Sequence, residues 1–402
     1  MISRRRILKS FAGGLTAAVV ARPGLSLARL PAERRLVVAI LRGGIDGLAA
    51  VPPYGDPDYH RSRGKLALPG PGAEGGSLDL DGGFGLHPSL KVLHGMYRDG
   101  DLLAIHAAAA PYRARSHFDG QDVLENGTAR PGGARDGWLN RALRSLDPAR
   151  DSGLGLALGE SVPLILRGDT RVASWSPNVL PLPEPALMEQ IERLWQHDAL
   201  LGPGLAAGLG LQDPDKSDLR KGRGLRGLYG PRGIVTYAEK AGRMLSQPDG
   251  PRIAVLEMGG WDTHANQGLT SGRLANHLAA FADGMGKLKA AFGPHWSHTA
   301  VLAVSEFGRT VAPNGTSGTD HGVAGAAFLF GGAVAGGRVL TDWPGLKTSQ
   351  LYEGRDLRPT TDLRALFKAA LRDHLGVDAI ALERDVFPDS RAVAPLDALF
   401  TA

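Results

Sequence analysis

Five short apolar runs, each stopped by glycine or a polar cluster, constrain this chain's fold more than any other feature. They are Leu36–Leu41, Leu102–His106, Ile253–Met258, Thr299–Val304 and Ala326–Phe330. A strand with one face in water alternates polar and apolar residues, whereas a strand covered on both faces reads as a near-continuous apolar stretch. Helical patterns lie between the runs, at about 88–97, 186–200, 234–246, 270–291 and 361–375. The last begins at Thr360-Thr361-Asp362, which suits a helix cap. Buried strands alternating with helices predict an α/β architecture with a largely parallel sheet flanked by helices. Three segments read as inserted loops or a small cap on that single domain. They are 52–85, rich in Gly, Pro and Asp; 127–185, with β-like pieces such as Val162–Leu166; and 202–233, rich in Gly, Lys, Arg and Asp.

Charge at first suggests a polyanionic partner, because 46 Lys and Arg face 41 Asp and Glu and the pI is near 9.5. The surplus sits in one place. Residues 1–28 carry Arg4, Arg5, Arg6, Lys9 and Arg22 and no acid, so the remainder holds 41 basic and 41 acidic residues. Ser3-Arg4-Arg5-Arg6-Ile7-Leu8-Lys9, an apolar stretch from Phe11 to Ala21, and Ser26-Leu27-Ala28 form a basic region, a short apolar region and a small-residue cleavage site. That pattern resembles a twin-arginine export signal. Residues 1–28 are therefore read as a signal and 29–402 as one mature domain, placed in the periplasm or outside the cell by the twin-arginine machinery. Neither a nucleic-acid partner nor a membrane span after processing is expected. The chain has no cysteine, which excludes disulfides, thiolate catalysis, iron–sulfur clusters and Cys-based zinc sites.

Ligands of open parallel sheets bind beyond the carboxyl ends of the strands, so the residues that follow each run are the ones to inspect. They are Gly43-Gly44-Ile45-Asp46-Gly47, then Arg113-Ala114-Arg115-Ser116-His117, then Gly260-Trp261-Asp262-Thr263-His264, then Ser305-Glu306-Phe307-Gly308-Arg309. Gly318-Thr319-Asp320-His321-Gly322 leads into the fifth run. Carboxylates and imidazoles gathered in this way suit divalent-metal hydrolysis, in which a metal-bound serine can act as nucleophile. Each residue has a plainer reading as well. Asp46 suits a helix cap, Glu306 with Arg309 a structural ion pair, and Asp320-His321 a surface hydrogen bond. The other histidines lack such a setting, except His117 beside Ser116. No G-x-G-x-x-G follows the first run, which argues against a dinucleotide enzyme.

In combination, the twin-arginine signal, Leu41-Arg42-Gly43-Gly44-Ile45-Asp46-Gly47-Leu48, Arg115-Ser116-His117-Phe118, Gly260–His264, Ser305–Thr310 and Gly318–Gly322 resemble the exported bacterial family called domain of unknown function 1501. The family is grouped with the alkaline phosphatase and sulfatase-like superfamily, so the resemblance implies an alkaline phosphatase-like fold and hydrolysis of phosphate or sulfate esters with one or two divalent ions (Zn, Mn, Mg or Ca). It implies Asp262, His264 and His321 at one metal, and Asp46, Ser116 and Glu306 at or completing the other. Ser116 would be the nucleophile, and Arg115 or Arg309 (or Arg113) would steady the oxyanion of a small anionic ester. Two departures stand out: Asp262 and His264 are two apart where the superfamily spaces them four apart, and Phe307 stands where a histidine is expected. A second alignment uses Asp320-His321 as the Asp-His pair. No C/S-x-P-x-R motif surrounds Ser116, so a formylglycine mechanism is not implied. The alternative from another class is an exported binding or assembly protein that keeps the fold, and one metal, with little turnover.

Overall fold

The computed structural model describes residues 33–146, 153–159, 161–177, 185–195 and 230–401, together with positions 198, 202 and 205. Residues 1–28, read above as an export signal, and most of 202–233 lie outside the described residues. In chain order the strands are β1 (Arg35–Leu41), β2 (Leu78–Asp79), β3 (Gly85–Leu86), β4 (Leu102–Ala109), β5 (Gly155–Leu158), β6 (Val172–Trp175), β7 (Ile253–Met258), β8 (Thr299–Val304), β9 (Gly325–Phe330), β10 (Arg338–Leu340) and β11 (Thr361–Asp362).

All five apolar runs are strands of one nine-stranded sheet, ordered β10-β4-β9-β8-β1-β7-β5-β6 with β11 also paired to β4. β1 lies at its centre, parallel to β7 and β8, with Leu36 opposite both Ile253 and Ala300. Its side chains alternate between two cores. Val37, Ala39 and Leu41 join one apolar cluster and Leu36, Val38 and Ile40 join the other. Burial on both faces explains why the sequence reads as a continuous run. The first core is closed by the helices Lys91–Arg98, Pro231–Leu245 and Arg273–Phe292, the second by Trp138–Leu146 and Leu363–Ala369. Arg273–Phe292 shows the helical logic plainly. Leu274, Leu278, Phe281, Met285, Leu288 and Phe292 recur every three or four residues and all are buried. Asp362 caps its helix as expected, accepting from the Arg364 amide.

Two features depart from the expectation. The segment 127–185 is not wholly an excursion: β5 pairs with β7 and β6 with β5, extending the sheet by two strands. Val162–Leu166 is no strand, and Leu164–Leu166 forms a 3-10 turn after Pro163, whose ring removes a ladder donor. Further, β9 runs antiparallel to β4 and β8 while the other pairings in the sheet are parallel. The reversal places the residues before β9 at the same sheet edge as the residues after β1, β7 and β8.

A fully buried histidine stitches the sheet irregularity between Ile105 and Ala108. His106 donates from Nε2 to the Val51 carbonyl (2.9 Å) and accepts the Ala107 amide at Nδ1 (2.8 Å). Burial pushes its pKa down to about 4, and does the same to His374, also to about 4. Each imidazole takes up a proton more readily unfolded than folded, so stability is full above pH 6.5 and drains away as pH falls toward 4. Between pH 7 and pH 5 each should cost about 2 kcal/mol. His106→Gln keeps a donor for Val51 and removes the titration. Urea unfolding at the two pH values should show a clearly smaller acid loss in this variant, and an unchanged loss would refute the assignment.

Candidate metal centre

The carboxyl edge of the sheet brings the loops together by backbone contact. Gly43, after β1, has φ +123°, and a Cβ there would stand 2.6 Å from the Asp262 amide nitrogen. Only glycine lets the two loops touch. Gly318 does the same for the last pair, since a Cβ would fall 2.3 Å from the His264 carbonyl oxygen. Thr319 donates its amide to the Thr263 carbonyl (3.1 Å), and Arg309 bridges to His321 in antiparallel fashion. These contacts carry His264 and His321 to one place.

Three imidazoles meet there, each with its Nδ1 facing an oxygen that can only accept. His117 Nδ1 lies 2.7 Å from Glu306 Oε1, His264 Nδ1 lies 3.0 Å from Asp320 Oδ1, and His321 Nδ1 lies 2.8 Å from the Arg115 carbonyl. Nδ1 therefore carries a proton in each ring, which leaves Nε2 as the nitrogen free to bind an ion in the neutral imidazole. All three Nε2 atoms turn toward Asp262. Its Oδ1 is 3.0 Å from that of His264 and 3.2 Å from that of His321, and its Oδ2 is 3.5 Å from that of His117. The Nε2 atoms of His264 and His321 are only 2.9 Å apart, a repulsive arrangement for two lone pairs unless a cation or proton lies between them.

A divalent ion fits this donor set. Ligand atoms about 2.1 Å from a tetrahedral ion stand roughly 3.4 Å from one another, close to the spacings above. The buried His117 Nε2 has no hydrogen-bond partner, and the ligand atoms of His117, Asp262 and His321 lie within 4.8 Å of one another. Backing the imidazoles with Glu306, Asp320 and a carbonyl is the usual outer support of metal-binding histidines. The carboxylate of Glu306 raises the proton affinity of His117, whereas burial lowers that of His321. Burial works against ionisation of Asp262, but the hydrogen bond and charge of Arg309 outweigh it and hold the carboxyl below its usual range.

Of the residues expected from sequence, Asp262, His264 and His321 converge. The second, all-oxygen set is not assembled. Asp46 is buried and caps the short helix Gly47–Ala50, and its Oδ2 accepts from Arg63 (2.5 Å) and Gln267 (2.7 Å). Glu306 stands behind His117, its carboxylate filled by His117, Gln121 (3.1 Å), the Gly43 amide (2.8 Å) and Ser305 (2.9 Å). Ser116 occupies the cap position of the helix His117–Asn126, half-buried, and its hydroxyl makes no capping bond.

The arginines are committed elsewhere than to a substrate oxyanion. Arg309 is buried, bonded to Asp262 Oδ1 (2.6 Å) and to both the hydroxyl and the carbonyl of Thr319. Arg115 pairs with Asp356 (2.7 Å) and Glu353 (2.6 Å), Arg113 bonds the carbonyls of Ala110 and Tyr112, and Arg115 with φ +65° aims its own carbonyl at His321. Phe307 packs against His117 (4.8 Å) and His321 (5.1 Å). The imidazole missing at 307 is thus matched by one at 117, in the neighbouring ring. Its adjacency to Ser116 was the only signal for it.

Comparison with family models matches residues 103–384 to the one described as "Protein of unknown function (DUF1501)". The chain belongs to this family. No curated protein matches this DUF1501 chain. Solved structures similar to it include the C-terminal periplasmic domain of EcEptC from Escherichia coli in complex with Zn (9% identity, 92% of this chain and 94% of that chain, TM-score 0.40). Others are a protein of the alkaline phosphatase superfamily from Vibrio parahaemolyticus (10%, 74% and 60%, 0.36) and the PsFucS1 sulfatase from Pseudoalteromonas sp. (12%, 90% and 71%, 0.37).

Proposed function

We propose that this DUF1501 chain is an exported, divalent-metal-dependent hydrolase of phosphate or sulfate esters. One observation carries the reading: three imidazoles, each with its Nδ1 proton committed outward, turn their Nε2 atoms on the carboxylate of Asp262. Asp262, His264 and His321 would hold the ion, with His117 on the other carboxylate oxygen. A set rich in imidazole suits Zn or Mn better than Mg or Ca. The ion, when bound, supplies Lewis-acid polarisation of an ester oxygen. Glu306 fixes the ring and tautomer of His117, Arg309 fixes Asp262, and Phe307 walls one side with an apolar ring. Ser116 is the nucleophile in this reading, at the cap of a ten-residue helix whose amino end favours negative charge. Its oxygen would bond the phosphorus or sulfur as the bond to the leaving oxygen breaks, the proton lost by Ser116 balancing the one gained by the departing alcohol; water would then displace the Ser116 oxygen, releasing phosphate or sulfate and returning a proton to Ser116.

A second reading, a binding or assembly protein with little turnover, draws on the Arg309–Asp262 pair, which already occupies the oxygen an ion would use. One experiment separates the two. Elemental analysis of the purified protein should find at least one divalent ion, and EDTA should lower the melting temperature and stop hydrolysis of 4-nitrophenyl phosphate or sulfate. Ser116→Ala should then retain the ion and lose turnover. A protein without metal, indifferent to EDTA, ends the hydrolase reading and leaves the binding one; a Ser116→Ala protein with every function intact favours binding as well. Export rests on residues 1–28, and among the described residues no helix is long and apolar enough to cross a membrane.

A further inference from the structure

Beside the metal centre lies a cavity of about 510 Å3 whose wall includes Arg61, Ser62, Thr310, Asp320, Thr348 and Arg355. Its volume is that of a small-ligand site. Two wall residues touch the imidazole frame. Asp320 holds the Nδ1 proton of His264, and the Arg355 guanidinium donates to the His321 carbonyl. A ligand seated in this cavity would therefore sit next to the metal-binding histidines.

The wall has more donors than its own acceptors use. A guanidinium carries five N–H bonds. The side chain of Arg61, 72% exposed, spends one on Asp58 (2.5 Å). Arg355 spends one on His321 and has Asp356 at 3.6 Å from its Nε. Neither makes another hydrogen bond among the described residues. Thr348 adds a hydroxyl, that of Ser62 being spent on the Leu346 carbonyl (3.4 Å), and the one carboxylate on the wall, Asp320, accepts from His264 and Asn314 at Oδ1 (3.0 Å each). Two guanidiniums with open forks outnumber the one carboxylate, half of which is already bonded, and are complementary to an oxyanion.

We infer that this cavity is an anion subsite, holding a carboxylate, phosphate or sulfate group other than the ester at the metal centre. Arg61 and Arg355 recognise that group, so the substrate carries a second anionic group. The inference rests on the ester-hydrolase reading for the word substrate, and on the cavity alone for anion binding.

Arg61 is the residue to change, because its only bond is to Asp58 and the fold does not depend on it. Full-length protein stripped with EDTA is titrated with inorganic phosphate by calorimetry at low ionic strength, where surface charge is least screened. Wild type should bind one phosphate, Arg61→Ala about tenfold more weakly and Arg61→Glu not at all, with Arg61→Lys between wild type and alanine. Equal binding by wild type and Arg61→Glu overturns the inference, as does a wild type that binds none. Metal content and 4-nitrophenyl phosphate hydrolysis, measured in parallel without EDTA, report on the metal centre separately. Arg61-dependent phosphate binding without metal or turnover sinks the hydrolase and keeps the anion site. Turnover with no dependence on Arg61 in the titration does the reverse.

Discussion

Asp262→Asn should empty the metal centre and lower ester hydrolysis by about a thousandfold or more while leaving the fold intact. Both carboxylate oxygens face imidazole nitrogens, Oδ1 toward His264 and His321 and Oδ2 toward His117. Among the described residues no other carboxylate reaches all three. An amide keeps an oxygen for the hydrogen bond from Arg309 but carries no charge to hold a divalent ion. Loss of a group that organises charge in the transition state typically costs a factor of 10² to 10³, and loss of the ion itself more. Alanine is the harsher change. It strands the buried Arg309 guanidinium, whose pair with Asp262 is its charge partner. Breaking a buried pair costs about 3–5 kcal/mol, but the Asp262 side chain is 38% exposed, so solvent should reduce that to about 1–3 kcal/mol. The paired measurement is metal content with unfolding free energy in EDTA. Asparagine should lose the ion with nearly native stability, and alanine should lose both. An Asp262→Asn protein that keeps its metal and its rate removes Asp262 from the centre.

How much of this was legible in the sequence follows from the physics of each residue. The central strands were readable because a strand buried on both faces leaves an apolar run, and Asp262 and His264 were readable because they follow such a run directly. His321 was readable only through the resemblance: residues before a parallel strand lie at the opposite edge, and His321 reaches this one because β9 runs backwards. Strands β5 and β6 were missed, being four residues each, with Val172–Trp175 only half-buried. Periodicity has nothing to work on at that length. At the site, residue type alone cannot separate a carboxylate that binds an ion from one that holds the ligand. Glu306 reads as a ligand in sequence and stands one bond behind His117 in space. His117 was hard to choose because the structure that selects it, the ring of Phe307 and the carboxylate of Glu306, comes from a loop after a different strand.

Asp46 shows the same ambiguity and yields the largest expected effect on stability. Its carboxylate and the Arg63 guanidinium form a pair with side chains 1% and 0% exposed. Arg63 also donates to the carbonyls of Thr310 (3.2 Å) and Val311 (3.0 Å), while its Nε has no partner. From Asp46 a buried polar chain runs through Gln267, which accepts from Thr263 (2.7 Å) and Thr319 (2.9 Å), to Arg309 and so to Asp262. Asp46 thus stands behind Asp262, four side chains away, and in the proposed reading would support the centre from there. Asp46→Ala removes the one carboxylate paired with Arg63 among the described residues and leaves a charge buried without compensation, which should cost about 3–5 kcal/mol. Arg63→Met in the same chain removes the stranded charge and, by the same reasoning, should restore most of that loss. The double variant should therefore be more stable than Asp46→Ala alone, a coupling that urea unfolding of all four proteins measures directly. A ligand role makes the opposite claim: Asp46→Asn would lose bound metal, and Arg63→Met would rescue nothing. The polar chain predicts that Asp46→Asn keeps its metal, because Gln267 can still bond an amide oxygen and so keep Thr263, Thr319 and Arg309 in register behind Asp262.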